Sequence, residues 1–114
     1  MNENNQVAII INALNDAKAL DINLFEVSEI TSVADYMIIA SGRSNRQVSA
    51  IAEKVAQQAK QNGIKPLGEE GKKQGEWVLV DLGDIIVHIM HPETREYYQL
   101  EKLWQDTEKK LERK

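Results

Sequence analysis

The sequence predicts an α/β fold in which a mixed β-sheet is layered with helices. Three observations lead to it. Apolar residues recur at helical spacing near the start of the chain and again in its middle. A continuous apolar run, Tyr36-Met37-Ile38-Ile39-Ala40, has the pattern of a strand covered on both faces. Two later apolar segments are joined by a link short enough to make an antiparallel hairpin. A long helix between the second and third strands permits a parallel crossover there, and the hairpin adds antiparallel pairing. With 114 residues the chain can bury one core but not two, so a single domain spanning 1–114 is expected.

The elements follow in order. Val7, Ile10, Ile11, Leu14 and Ala17 share one helical face, which predicts a helix over about 4–19, broken by Asp21. Residues 22–27 alternate apolar and polar through most of their length and are rich in strand formers, which predicts a first strand. The apolar run at 36–40 is the second and central strand, ended by Ser41-Gly42. Ser44 with Gln47 gives a capping-box signal, and Val48, Ile51, Ala52, Val55, Ala56 and Ala59 continue at helical spacing until Gly63 stops the helix. Residues 64–67 suggest a short edge strand interrupted by Pro66, and 68–75 read as a charged loop punctuated by glycines. Strands are expected at 76–81 and 85–90 around Leu82-Gly83-Asp84. Pro92 then opens a last helix over 93–104, with Glu93 and Glu96 near its positive end. The charged tail 105–114 has Leu111 as its one apolar anchor, so a frayed helical extension or disorder is expected there.

Composition narrows the function. The chain has no cysteine, which excludes disulfides, thiolate metal sites and a cysteine nucleophile. No apolar run approaches the ~20 residues that cross a bilayer, and residues 1–6 carry neither the basic patch of a secretory signal nor an Arg-rich transit character. A cytoplasmic setting without membrane contact is expected. The net charge is −4, with −5 in residues 1–40 and +1 in 41–114. Gripping nucleic acid by clustered Lys and Arg is therefore not expected as the main activity. An acidic protein would more naturally meet a basic protein partner, with any nucleic-acid contact peripheral.

Several constellations bear on chemistry. Ser41-Gly42-Arg43-Ser44-Asn45-Arg46 lies where a strand turns into a helix and could receive a phosphate on backbone N–H groups. It has neither Walker A nor GxGxxG spacing, so a tight turn and a helix cap explain it better. A nucleotidyltransferase would need adjacent carboxylates on the next strand to hold metal, and the hairpin offers only Asp81 and Asp84 across its turn. His88 and His91, three apart on an extended strand, point to opposite faces and make poor joint ligands. His88 is expected as a hydrogen-bonded histidine among apolar neighbours and His91 at the start of the helix. Asp35 fits a turn or cap. No metal, cofactor or catalytic residue is expected. The remaining signal is aromatic: Trp77, Tyr97, Tyr98 and Trp104 gather in the C-terminal third. Core packing suits Leu100, Leu103 and Trp104, whereas Trp77 and Tyr98, near a charged loop, also suit a protein interface.

Taken together, Ala34-Asp35-Tyr36 leading into Ser41-Gly42-Arg43-Ser44, then Glu70-Gly71, Gly75-Glu76-Trp77, Asp81-Leu82-Gly83-Asp84, Val87-His88 and the run from His91-Pro92-Glu93 to Leu103-Trp104 resemble the Iojap-like ribosomal silencing factors. The likeness runs from about residue 5 to residue 106. It implies a nucleotidyltransferase-like α/β fold lacking the catalytic acidic pair, and a non-enzymatic role. It also implies binding to the fourteenth protein of the large ribosomal subunit (uL14), which would block the small subunit sterically and repress translation when nutrients are scarce. By the same resemblance the partner-binding residues are Lys73, Trp77, Val78, Arg95 and Tyr98. A homodimer is a further expectation for the free protein.

Overall fold

The computed structural model describes residues 3–99. Helix α1 spans Glu3–Asp16, strand β1 Leu20–Glu26, strand β2 Tyr36–Ser41, helix α2 Asn45–Gln61, strand β3 Gly68–Glu70, strand β4 Trp77–Asp81, strand β5 Ile85–Met90 and helix α3 Pro92–Tyr98. The five strands form one sheet in the order β1-β2-β5-β4-β3, mixed as expected. β2 and β5 run parallel, and the other three pairings are antiparallel.

Strand periodicity sorts the side chains onto two faces. Ile38 and Ala40 of β2, Val78 and Val80 of β4, and Val87 and Ile89 of β5 point to one face. There they meet Ile10 and Leu14 of α1 and Val48, Ile51, Ala52, Val55 and Ala59 of α2. The opposite face carries Phe25, Met37, Ile39, Ile86 and Met90, with Val27 and Ala34 from the segment joining β1 to β2. Each fully buried aliphatic side chain contributes ~1.5–3 kcal/mol. Two apolar faces explain why every residue of β5 is buried and why its sequence, Ile85-Ile86-Val87-His88-Ile89-Met90, scarcely alternates. Two backbone bonds fasten the β1–β2 connection to the hairpin turn, from Asp35 N–H and Tyr36 N–H to the Asp84 carbonyl at 2.8 and 3.0 Å.

Four expectations are corrected. Helix α1 stops at Asp16 rather than 19. Lys18 takes a left-handed φ of 65° while Lys18 N–H and Ala19 N–H bond back to the carbonyls of Asn15 and Leu14, closing the helix end so that the chain can turn into β1. Residues 64–67 are not a strand, and the edge strand forms at 68–70, inside the segment expected to be loop. Ile64 is used instead to close α2, its N–H bonding the Ala59 carbonyl and its side chain joining the core, and Pro66 has no N–H to give to a sheet. The first bond to β4 is therefore Leu67 N–H to the Asp81 carbonyl, 2.7 Å. The parallel partner of β2 is β5, reached only after α2 has delivered the chain to the far edge of the sheet. Finally, α3 ends at Tyr98 with Gln99 in a left-handed conformation. Positions 100–104, with Leu100, Leu103 and Trp104, and the tail 105–114 lie outside the described residues.

Candidate functional site

Trp77 begins β4 and faces away from α1 and α2, on the same side as Leu79. The antiparallel register sets Leu79 opposite His88, so His88 lies diagonally across from Trp77 on that face. The indole Nε1–H of Trp77 donates to Nδ1 of His88 at 2.9 Å, with the rings 5.8 Å apart. Trp77 also packs against Tyr98 at 5.1 Å, and Tyr98 meets Tyr97 edge-on at 5.0 Å. The result is a row His88, Trp77, Tyr98, Tyr97 that rises from the core to solvent, from 7% exposed at His88 to 57% at Tyr98 and 81% at Tyr97. Glu70, Gly71, Trp77 and Leu79 bound a shallow hollow of about 330 Å³ beside it. Large apolar rings exposed at one end and fixed at the other are the usual make-up of a protein-binding anchor.

Because Nδ1 of His88 accepts the indole proton, the neutral ring must carry its own proton on Nε2. Burial opposes the charged form and pushes the His88 pKa down from 6.5 to about 4. Between those two values the unfolded chain binds a proton that the folded chain does not. Stability is therefore complete above pH 6.5 and falls as pH drops through the window to about 4, by on the order of 3 kcal/mol. Melting temperatures measured across that range should fall for the native protein and stay flatter for His88→Leu.

The loop between β3 and β4 is tied down. Gly75 N–H bonds the Gly71 carbonyl at 3.0 Å, and Ser49 of α2 donates to the Lys72 carbonyl at 2.7 Å. Gly71 and Gly75 both have positive φ, 88° and 75°, and lie against the carbonyls of Trp77 and Asn45. Lys73 stands exposed on this loop.

Of the five expected contact residues, the structure joins Trp77 and Tyr98 and places Lys73 on the adjoining loop. Val78 and Arg95 sit differently. Val78 points to the opposite face and is fully buried under α2, so its side chain belongs to the core. Arg95 is also buried, and its Nη1 donates to the Ser41 hydroxyl at 2.8 Å, fixing α3 against the end of β2. That role explains the two tyrosines. Arg95 is the buried residue of α3, so Tyr98, three positions on, leans toward Trp77 while Tyr97 turns outward. Arg95→Met should accordingly lower stability by about 2 kcal/mol, because the buried Ser41 hydroxyl loses its donor. A urea midpoint checks this, since a residue acting only at a surface contact would leave it unmoved.

The other constellations serve the fold. Gly42 has no room for a side chain, since a Cβ there would lie 2.9 Å from Val48 N. Ser44 caps α2 by accepting from Gln47 N–H at 3.1 Å. The carboxylate of Asp81 accepts from Gly83 N–H at 2.9 Å, and His91 caps α3 through Nδ1. Among the described residues there is no group of three or more His, Asp or Glu able to hold a metal ion. Sequence reasoning missed the Trp77–His88 bond. Its one signal was that 77 and 79 share a face with 86, 88 and 90 once the hairpin register is known.

Comparison with known proteins agrees with this architecture. The family model described as "Ribosomal silencing factor during starvation" matches residues 1–114. The ribosomal silencing factor RsfS of Bacillus subtilis is 45% identical over 106 residues, covering 93% of this chain and 90% of that protein. A crystal structure of a Chromobacterium violaceum protein superposes with a TM-score of 0.90 at 45% identity, over 92% of this chain and 88% of that one. A mouse protein named "Mitochondrial assembly of ribosomal large subunit protein 1" is 35% identical over 86% of this chain, which spans 44% of its length. A model matched from end to end, with close relatives of nearly the same length, settles the affiliation: this chain belongs to the family of ribosomal silencing factors.

Proposed function

We propose that this chain, acting as one domain, binds the large ribosomal subunit through that subunit's fourteenth protein and keeps the small subunit from joining. The observation that carries the proposal is the aromatic row ending in Tyr98 and Tyr97, an apolar surface exposed at one end and built into the sheet at the other. The family's description as a silencing factor during starvation and the large-subunit name of the mouse relative supply the direction. Repression under nutrient limitation then needs only affinity and bulk, because an occupied joining face cannot form inter-subunit bridges.

This reading involves no catalysis. It takes the sheet as a nucleotidyltransferase-like scaffold whose hairpin acid, Asp81, is used by the turn. It places the protein in the cytoplasm, with rRNA contacted at most peripherally, and no helix among the described residues is long and apolar enough to cross a membrane. When free, the protein can cover the same aromatic surface by pairing with a second copy. The net charge of −4 favours a basic protein partner and makes association sensitive to salt, whose screening length is ~8 Å at physiological strength. A sucrose-gradient profile of lysate tests the proposal: the protein should travel with free large subunits and be absent from polysomes. Sedimentation with small subunits, or at the top of the gradient alone, would overturn it.

A further inference from the structure

We infer that His88 is a positioning residue for recognition, holding the Trp77 ring in the tilted orientation in which it packs against Tyr98. The inference rests on the reading of Trp77 and Tyr98 as the surface that meets the large subunit. It follows from the placement of three groups. Trp77 stands at the first position of β4, next to the loop, where a half-buried indole has solvent on one side and would otherwise sample several rotamers. His88 is held in the middle of β5, a strand buried along its whole length. Its Nδ1 accepts the indole N–H at 2.9 Å. The one polar atom of the tryptophan is thus fastened to a strand buried along its whole length, and the indole ring meets Tyr98 at a centroid distance of 5.1 Å. A binding anchor fixed before the partner arrives loses less freedom on binding, and immobilising one such side chain is worth ~0.5–1.5 kcal/mol. That corresponds to roughly three- to tenfold in affinity.

A merely structural histidine and a positioning histidine differ in what replaces them. Leucine at 88 packs well in an apolar strand but offers no acceptor. Asparagine packs poorly there but carries an amide oxygen close to where Nδ1 lies. His88→Leu should therefore be the more stable variant and the weaker binder, losing about tenfold affinity for purified large subunits. His88→Asn should be less stable yet bind within about twofold of the native protein. Trp77→Phe, which removes the donor together with part of the ring's contact area, should cost at least as much as His88→Leu. The double variant should cost no more than Trp77→Phe alone, because the bond that His88→Leu removes is already lost there.

The experiment measures binding of the four variants and of Trp77→Ala to purified large subunits. Alongside, near-ultraviolet circular dichroism is recorded in a Trp104→Phe background, so that Trp77 alone is seen. Loss of the tryptophan signal in His88→Leu, its retention in His88→Asn and the non-additive cycle are the expected results. Native affinity in His88→Leu, a fully additive cycle, or an unchanged tryptophan signal would overturn the positioning role while leaving the binding surface intact. Native affinity in Trp77→Ala would instead overturn the surface itself, and the role of His88 with it.

Discussion

Replacing Trp77 with alanine should release the protein from large ribosomal subunits, with affinity falling about thirtyfold or more, the usual effect of truncating an interface anchor by ~2 kcal/mol. Tyr98→Ala should act in the same direction. The two differ in what they do to the fold. Tyr98 is 57% exposed, so its removal should leave the melting temperature nearly unchanged. Trp77 is partly buried against Leu79 and Met90 and satisfies Nδ1 of His88, so its truncation should also cost about 2 kcal/mol of stability. Leu24→Ala is the control, because Leu24 is also exposed, at 46%, but lies on β1 at the opposite edge of the sheet. Co-sedimentation with purified subunits, read beside thermal melts, checks all three. If Trp77→Ala and Tyr98→Ala both fold and still bind at native strength, the aromatic surface is not the interface.

Gly71→Ala should be strongly destabilising, by about 3 kcal/mol, or on the order of 15 °C in melting temperature. Two independent costs meet there. The backbone has φ of 88°, which a side chain disfavours, and a Cβ would lie 2.1 Å from the carbonyl oxygen of Trp77. That oxygen belongs to the backbone at the head of β4, so relief requires moving the strand that carries the anchor. Binding should therefore weaken even in the molecules that remain folded. Gly68→Ala is the comparison, since a Cβ there meets nothing within 4 Å and the backbone needs no left-handed conformation. It should be close to neutral, and a Gly71→Ala protein as stable as Gly68→Ala would show that the loop can relax without the strand.

Much of the architecture was legible in the chain because it depends on near neighbours. The spacing of Val48, Ile51, Ala52, Val55 and Ala59 defines one face of α2 whatever that face packs against. The alternation of 77 and 79 against 78 and 80 divides β4 between two faces, and the three-residue link at 82–84 requires its neighbour to run antiparallel. The aromatic cluster was visible as composition, and Trp77 and Tyr98 stood out as its candidates. Family resemblance, rather than spacing, singled out Lys73, Val78 and Arg95 and preferred Tyr98 to Tyr97. The alternation by itself already placed Val78 on the face opposite Trp77.

What only the tertiary structure decided concerns groups that are distant in sequence. Arg95 would be expected outside on polarity alone, and it is buried because Ser41, 54 positions earlier, supplies a hydroxyl where α3 crosses the end of β2. Both tyrosines of α3 are exposed because that arginine, and neither ring, takes the inward position. The edge strand formed at 68–70 rather than 64–67 because closing α2 claimed the N–H of Ile64 and proline had none to offer. The bond between Trp77 and His88 exists only once the hairpin register is set. Periodicity records which side a residue faces along its own element. Which donor meets which acceptor depends on how separate elements come together, and in this protein that meeting ties a tryptophan at the head of one strand to a histidine in the middle of the next.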